Sequence, residues 1–147
     1  MMLRIRRLDP DVPLPAYHSE GAAAFDLASR EDVVVQPGAV VLVGTGLVVE
    51  VPRGHFLAVV ARSSLPIKKG LIVANSVGIV DSDYCGPRDE VKVEVYNFTP
   101  REATIARGER IAQGLILPAV RVVWDEVQDS AAPSRGGFGS TGGLHGA

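Results

Sequence analysis

A single cysteine, Cys85, in a chain of 147 residues excludes an internal disulfide framework and a cysteine-rich zinc site, and it suits a reducing compartment. Basic runs are equally scarce. None is longer than Lys68-Lys69, and the formal net charge is −2, so the chain lacks the electrostatic footprint of a nucleic-acid binder. No basic-then-apolar leader is visible, and no apolar run approaches the roughly 20 residues of a membrane helix. These absences imply a cytoplasmic protein with no nucleic-acid or membrane partner.

What the chain has in abundance is β-branched. It carries 22 Val and 7 Ile against 8 aromatic residues, a balance that favours strands over helices. Sixteen Gly and ten Pro, scattered along the sequence, supply turns between many short strands, as in a sandwich or closed barrel. The length is that of one domain able to bury about two-thirds of its unfolded surface. An all-β fold is therefore expected.

Leu3 to Leu8 alternates apolar and basic residues as a half-buried edge strand does, and Pro10, Pro13 and Pro15 hold the following chain extended. Asp26 lies in the apolar segment Gly21 to Ala28 and needs a partner, either a structural donor or a hydrated metal ion. Val33 to Val51 reads as two strands broken by Gln36-Pro37-Gly38 and by Gly44-Thr45-Gly46. The second glycine pair lacks the spacing and following helix of a dinucleotide fingerprint and reads as a bulge or close backbone approach. His55 opens the apolar strand that runs to Ala61.

The alternation then stops at Arg62-Ser63-Ser64-Leu65-Pro66-Ile67-Lys68-Lys69-Gly70. Ser63 or Ser64 can cap a short helix and Gly70 can end it. Such a helix start, preceded by Arg62, suits either an anion or a plain capped connection. Asn75 to Tyr84 follows, between the apolar runs Leu71 to Ala74 and Val91 to Val95. It brings together a side-chain amide (Asn75), a glycine (Gly78), two acids and an aromatic ring (Tyr84). As a binding hairpin it can read a base edge, admit a ligand to the backbone at Gly78, and use Asp81 to accept a proton from water. The plain alternative is an ordinary turn.

Val91 to Asn97 places Val91, Val93 and Val95 on one face, with Lys92, Glu94 and Tyr96 on the other. Gly108 to Gly114 enters a further apolar strand, in which Gln113 is either a buried structural amide or a ligand contact. After Val127 the composition changes. Residues 128–147 contain no Val or Ile, and Ser134 to Gly143 combines Arg135, Phe138, Ser140 and Thr141 with glycines. Such composition usually marks a disordered end, but these parts also suit a flap that closes on a phosphorylated, base-bearing ligand, appended to a β domain over residues 1–127.

With these motifs in place, the sequence strongly resembles the trimeric dUTP pyrophosphatases (dUTPases) over nearly its whole length. The matching segments are Ala22 to Ala28, Arg62 to Gly70, Asn75 to Gly86, Gly108 to Gln113 and Arg135 to Gly142, in the family's order. The resemblance implies a jelly-roll-like distorted barrel, a homotrimer with active sites at subunit interfaces, and Mg²⁺-assisted hydrolysis of dUTP to dUMP and pyrophosphate. It implies that Asn75 and nearby hairpin backbone, including Gly78, recognise uracil, that Tyr84 packs on the deoxyribose, and that Asp81 activates the attacking water. Arg62, Ser63, Ser64 and Gln113 would contact phosphates, and Asp26 would act near the metal through water. Arg135, Phe138, Ser140 and Thr141 would close the site from another subunit's tail, with Arg135 offsetting transition-state charge.

The sequence departs from the family pattern at Ala24, where many relatives have glycine, and in the segment Cys85 to Glu90, which is about two residues longer than usual. Glu94 resembles the catalytic glutamate of the related dCTP deaminases, so a deaminase or bifunctional deaminase–dUTPase is the alternative function.

Overall fold

The structure is a computed structural model in which residues 1–129, 132–134 and 136 are described. Strands dominate, as the Val and Ile content implies. In chain order they are β1 (Arg4–Arg7), β2 (Phe25–Ala28), β3 (Val33–Val35), β4 (Val40–Gly44), β5 (Leu47–Glu50) and β6 (His55–Ala61). The helix α1 (Leu65–Lys69) precedes β7 (Leu71–Val73), β8 (Val77–Val80), β9 (Lys92–Asn97), β10 (Ala103–Ile105) and β11 (Arg110–Pro118).

All pairings are antiparallel. A four-stranded sheet in the order β2-β11-β6-β8 faces a three-stranded sheet β4-β9-β7, and the ribbons β1-β5 and β3-β10 extend the shell. Their inward residues, among them Leu27, Val43, Val49, Leu57, Leu71, Val93, Val95, Ile105 and Ile111, form one core. This is the all-β, jelly-roll-like fold expected.

Val33 to Val51, read as two strands, holds three, because each of its two turns ends a strand. At the second turn the close approach is real: a Cβ on Gly46, whose φ is +69°, would lie 2.5 Å from Val12 Cγ2. The central stretch also departs from a simple hairpin. β7 pairs with β9, as its flanking runs suggest, but β8 crosses to β6 in the other sheet. Ser76, at φ +62°, makes the bend between them, and Val77 N–H donates to Asn75 O at 2.7 Å.

Asn97 closes one corner of the core. Its buried amide donates to Val35 O and Arg101 O, both at 2.8 Å, and accepts from Thr99 N–H and Oγ1. No donor or acceptor of this side chain is left unmet, which is how a fully buried amide is tolerated.

Candidate functional site

Residues directly opposite across antiparallel strands share a face, so the register of the four-stranded sheet sets one row of side chains: Asp26, Gln113, Val60 and Val77. This row lies on the face turned away from the core. Arg62 follows the end of β6, and Ser63 and Ser64 lead into α1.

Asp26 is buried but not alone. Arg110 Nη1 donates to its Oδ2 at 3.0 Å, His18 Nε2 lies 3.3 Å from Oδ2, and Arg62 Nε lies 3.2 Å from Oδ1. Oδ1 nevertheless lacks a hydrogen bond, because the Arg62 contact has ion-pair distance without hydrogen-bond geometry. Arg62 Nη1 donates to Arg110 O at 3.2 Å, so its guanidinium is anchored at two points.

The helix reading needs correction in one respect. Ser64 is the N-cap residue and Gly70, at φ +64°, the C-cap, but Ser64 sits in helical conformation and makes no side-chain capping bond. The helix has 5 residues, too short for its termini to act as an anion site. The Ser hydroxyls are thus not consumed by capping. Gln113 is half-buried and makes no side-chain hydrogen bond among the described residues, so the structural-amide reading loses its partner.

Asp81 stands elsewhere. Val80 pairs with Leu57, which sets Asp81 beside Phe56 at the opposite end of β6 from Arg62. It lines an open cavity of about 630 Å³ with Arg53, His55, Ser82, Asp83 and Arg121. Tyr84 N–H donates to Asp81 O at 3.2 Å, a turn that places ring and carboxylate on one loop, and Tyr84 Oη donates to Glu90 O at 3.3 Å. Asn75 is exposed, and its amide nitrogen lies 3.6 Å from where a Gly78 Cβ would stand, with Val59 Cβ at 3.3 Å on the other side. The fold therefore gathers Asp26, Arg62, Ser63, Ser64 and Gln113 at one end of β6, and Asp81 and Tyr84 at the other. From Phe56 to Arg62 the strand rise alone separates them by about 20 Å.

The lengthened segment after Tyr84 is well tied: Asp89 Oδ2 accepts from Gly86 N–H at 2.7 Å, and Arg6 donates to Pro87 O. Cys85 is exposed. Glu94 lies on the outward face of the three-stranded sheet opposite Leu42, and its carboxylate has no hydrogen bond or ion pair among the described residues. Arg135, Phe138, Ser140 and Thr141 lie outside the described residues.

Sequence reasoning missed Arg110 and His18 as partners of Asp26. For Arg110 a signal existed, a basic residue where the strand pattern of Ile111 to Gly114 begins. Nothing in the spacing of His18 marks it. No group of three or more His, Cys, Asp or Glu side chains able to hold a metal occurs among the described residues, so these offer no preformed cation cage. The chemistry does fit an ion carried by phosphates, since Asp26 Oδ1 is a buried acceptor without a hydrogen bond. No helix among the described residues is long and apolar enough to cross a membrane.

Comparison with known proteins places this β fold among the nucleotide hydrolases. The dUTPase of Streptococcus mutans superposes with a TM-score of 0.76 at 32% identity, covering 83% of this chain and 98% of that one. A Staphylococcus bacteriophage 80alpha dUTPase solved with dUPNHPP has a TM-score of 0.85 over 96% of this chain and 98% of that one; at 24% identity it speaks for the fold. The chain belongs to the dUTPase family, whose model matches residues 11–142. Among relatives, the deoxyuridine 5'-triphosphate nucleotidohydrolase of Nautilia profundicola is 42% identical over 97% of this chain and 99% of its own length. That of Thermobifida fusca is 44% identical over 96% of this chain and 79% of its own length.

Proposed function

We propose that the protein hydrolyses dUTP to dUMP and pyrophosphate in a homotrimer whose active sites are shared between chains. The carrying observation is the split across β6: the Arg62 cluster and Asp81 lie too far apart within one chain to act on one phosphate. Symmetric association resolves this, because one copy's Arg62 end can meet another's Asp81 end in each of several equivalent sites. Exposed apolar side chains support association. Val77, Ile79 and Leu117 on the outer sheet face are 44%, 57% and 38% exposed, and Trp124 is 88% exposed.

In this reading Asn75 and the backbone at Gly78 bind the uracil edge, and Tyr84 packs on the deoxyribose. Asp81, whose exposed carboxylate has no ion-pair or hydrogen-bond partner among the described residues, accepts a proton from the water that attacks the α-phosphorus. A new P–O bond forms and the bond to the bridging oxygen breaks, releasing pyrophosphate. Arg62, Ser63, Ser64 and Gln113 donate to the phosphate oxygens, which gain charge in the transition state. Asp26 would hold a Mg²⁺ ion bound with the triphosphate through water, and that ion would supply partial neutralisation of this charge. The 128–147 tail of another chain supplies Arg135 to the phosphates, Phe138 to the base, and Ser140 and Thr141 as further donors. Such an enzyme limits uracil incorporation into DNA and supplies dUMP for dTMP synthesis.

The deaminase alternative is not favoured. The family match is to dUTPases, and Glu94 stands on the sheet that does not carry Asp26, Gln113 or Arg62. A pyrophosphate-release assay with Mg²⁺ on dUTP, dCTP, dTTP and UTP, with ammonia followed in parallel, tests the reading. Release from dUTP alone is the result expected; ammonia from dCTP would replace it with the deaminase.

A further inference from the structure

We propose that Arg110 is a positioning residue, which acts through Asp26 to hold the Arg62 guanidinium ready for phosphate; the identity of that phosphate rests on the dUTP reading above. The inference starts from a fault in the β2–β11 ladder. Gln113 pairs with Asp26 and Ala112 with Leu27, but Ala28 pairs with Arg110 rather than Ile111. Ile111 is the extra residue of a bulge, and its side chain is fully buried in the core. In an unbroken ladder Ile111 would stand opposite Ala28 on the Asp26 face, and Arg110 would point into the core. The bulge reverses this and delivers Arg110 to Asp26.

The charge balance at that point exceeds what burying one carboxylate requires. Asp26 is 6% exposed and needs one cation to offset its desolvation, yet it faces two guanidiniums and an imidazole. The cluster is left with at least one excess positive charge, beside Gln113 and the hydroxyls of Ser63 and Ser64, which make no hydrogen bond among the described residues. Arg110 also anchors Arg62 directly, since its carbonyl accepts from Arg62 Nη1 at 3.2 Å. With Nε at ion-pair distance from Asp26 and Nη1 donating to Arg110 O, Arg62 is restrained, and Nη2 has no partner among the described residues. Removing the Arg110 side chain would let Asp26 draw Arg62 into a full carboxylate pair and away from the phosphates.

The test is a mutant cycle on the full-length protein with Arg62→Ala, Arg110→Gln and the double variant, reading kcat and KM for dUTP and, separately, calorimetric binding of inorganic tripolyphosphate. Arg110→Gln should lower kcat/KM and tripolyphosphate affinity by about tenfold or more, yet by less than about twofold when Arg62 is already Ala. Arg110→Lys, which keeps the charge, should recover part of the loss and serves if the Gln variant does not fold. An undiminished Arg110→Gln effect in the Arg62→Ala background, or no effect in the wild type, overturns the proposal. Absence of dUTP turnover by the wild type would sink the dUTP reading instead, and the tripolyphosphate cycle would still decide the role of Arg110.

Discussion

Gly46 donates its backbone N–H to Glu90 Oε1 at 2.7 Å, and Arg30 Nε lies 3.2 Å from the same oxygen. This buried carboxylate fastens the lengthened loop after Tyr84 to the β4–β5 turn, where a Cβ on Gly44 would come within 2.6 Å of it. Because Tyr84 Oη donates to the Glu90 carbonyl, the same anchor steadies the ring proposed to pack on deoxyribose.

Glu90→Ala strands a buried N–H and removes the carboxylate that Arg30 meets, so it should destabilise the fold by about 3 kcal/mol. Urea unfolding with a constant m-value is the check. Glu90→Gln, which can retain the acceptor, should lose clearly less.

Gly114 lies under Phe25. A Cβ there would stand 2.4 Å from Phe25 Cε2 and 3.0 Å from Leu57 Cδ1, in the middle of the sheet that carries Asp26 and Gln113. Gly114→Ala should therefore cost about 1–3 kcal/mol through overpacking and lower Tm. An unchanged Tm would mean that the Phe25 ring has room to turn.

Asp81 is exposed, and its carboxylate has no hydrogen bond or ion pair among the described residues. Asp81→Asn should leave Tm within a degree or so while lowering kcat by about 10²–10⁴, the range for loss of a general base. A large fall in Tm, or retained kcat, would remove Asp81 from the proposed mechanism.

Chelation separates the ion from the fold. With no preformed cation cage among the described residues, EDTA should stop turnover while leaving Tm unchanged. Loss of folding on chelation would instead reveal a structural metal.

Much of this architecture was legible because valine spacing fixes faces. The alternation in Val91 to Asn97 put Val93 and Val95 in the core, and Gly70 ended a short helix as its position implied. Asp26 was recognised as a buried acid in need of partners. Arg110 is marked as a basic residue at a strand start, but its pairing with Asp26 is not legible, because it reaches Asp26 only through a bulge that no local pattern announces, and His18 arrives on an irregular segment. The crossing of β8 to β6 was hidden for a similar reason: it depends on Ser76 adopting a left-handed conformation that serine seldom takes. That crossing is also what sends Asp81 to the far end of β6, so the division of the proposed site into two halves belongs to tertiary structure rather than to any motif.

The proposed shared site is tested most directly by co-expressing two strongly impaired variants, Asp81→Asn and Arg62→Ala, and measuring dUTP hydrolysis by the purified mixed assembly. Random mixing should place an intact Arg62 from one chain against an intact Asp81 from another in about a quarter of the sites, restoring a comparable fraction of wild-type turnover. Activity no greater than that of the separate variants, in an assembly shown to contain both chains, would contradict a site divided between subunits.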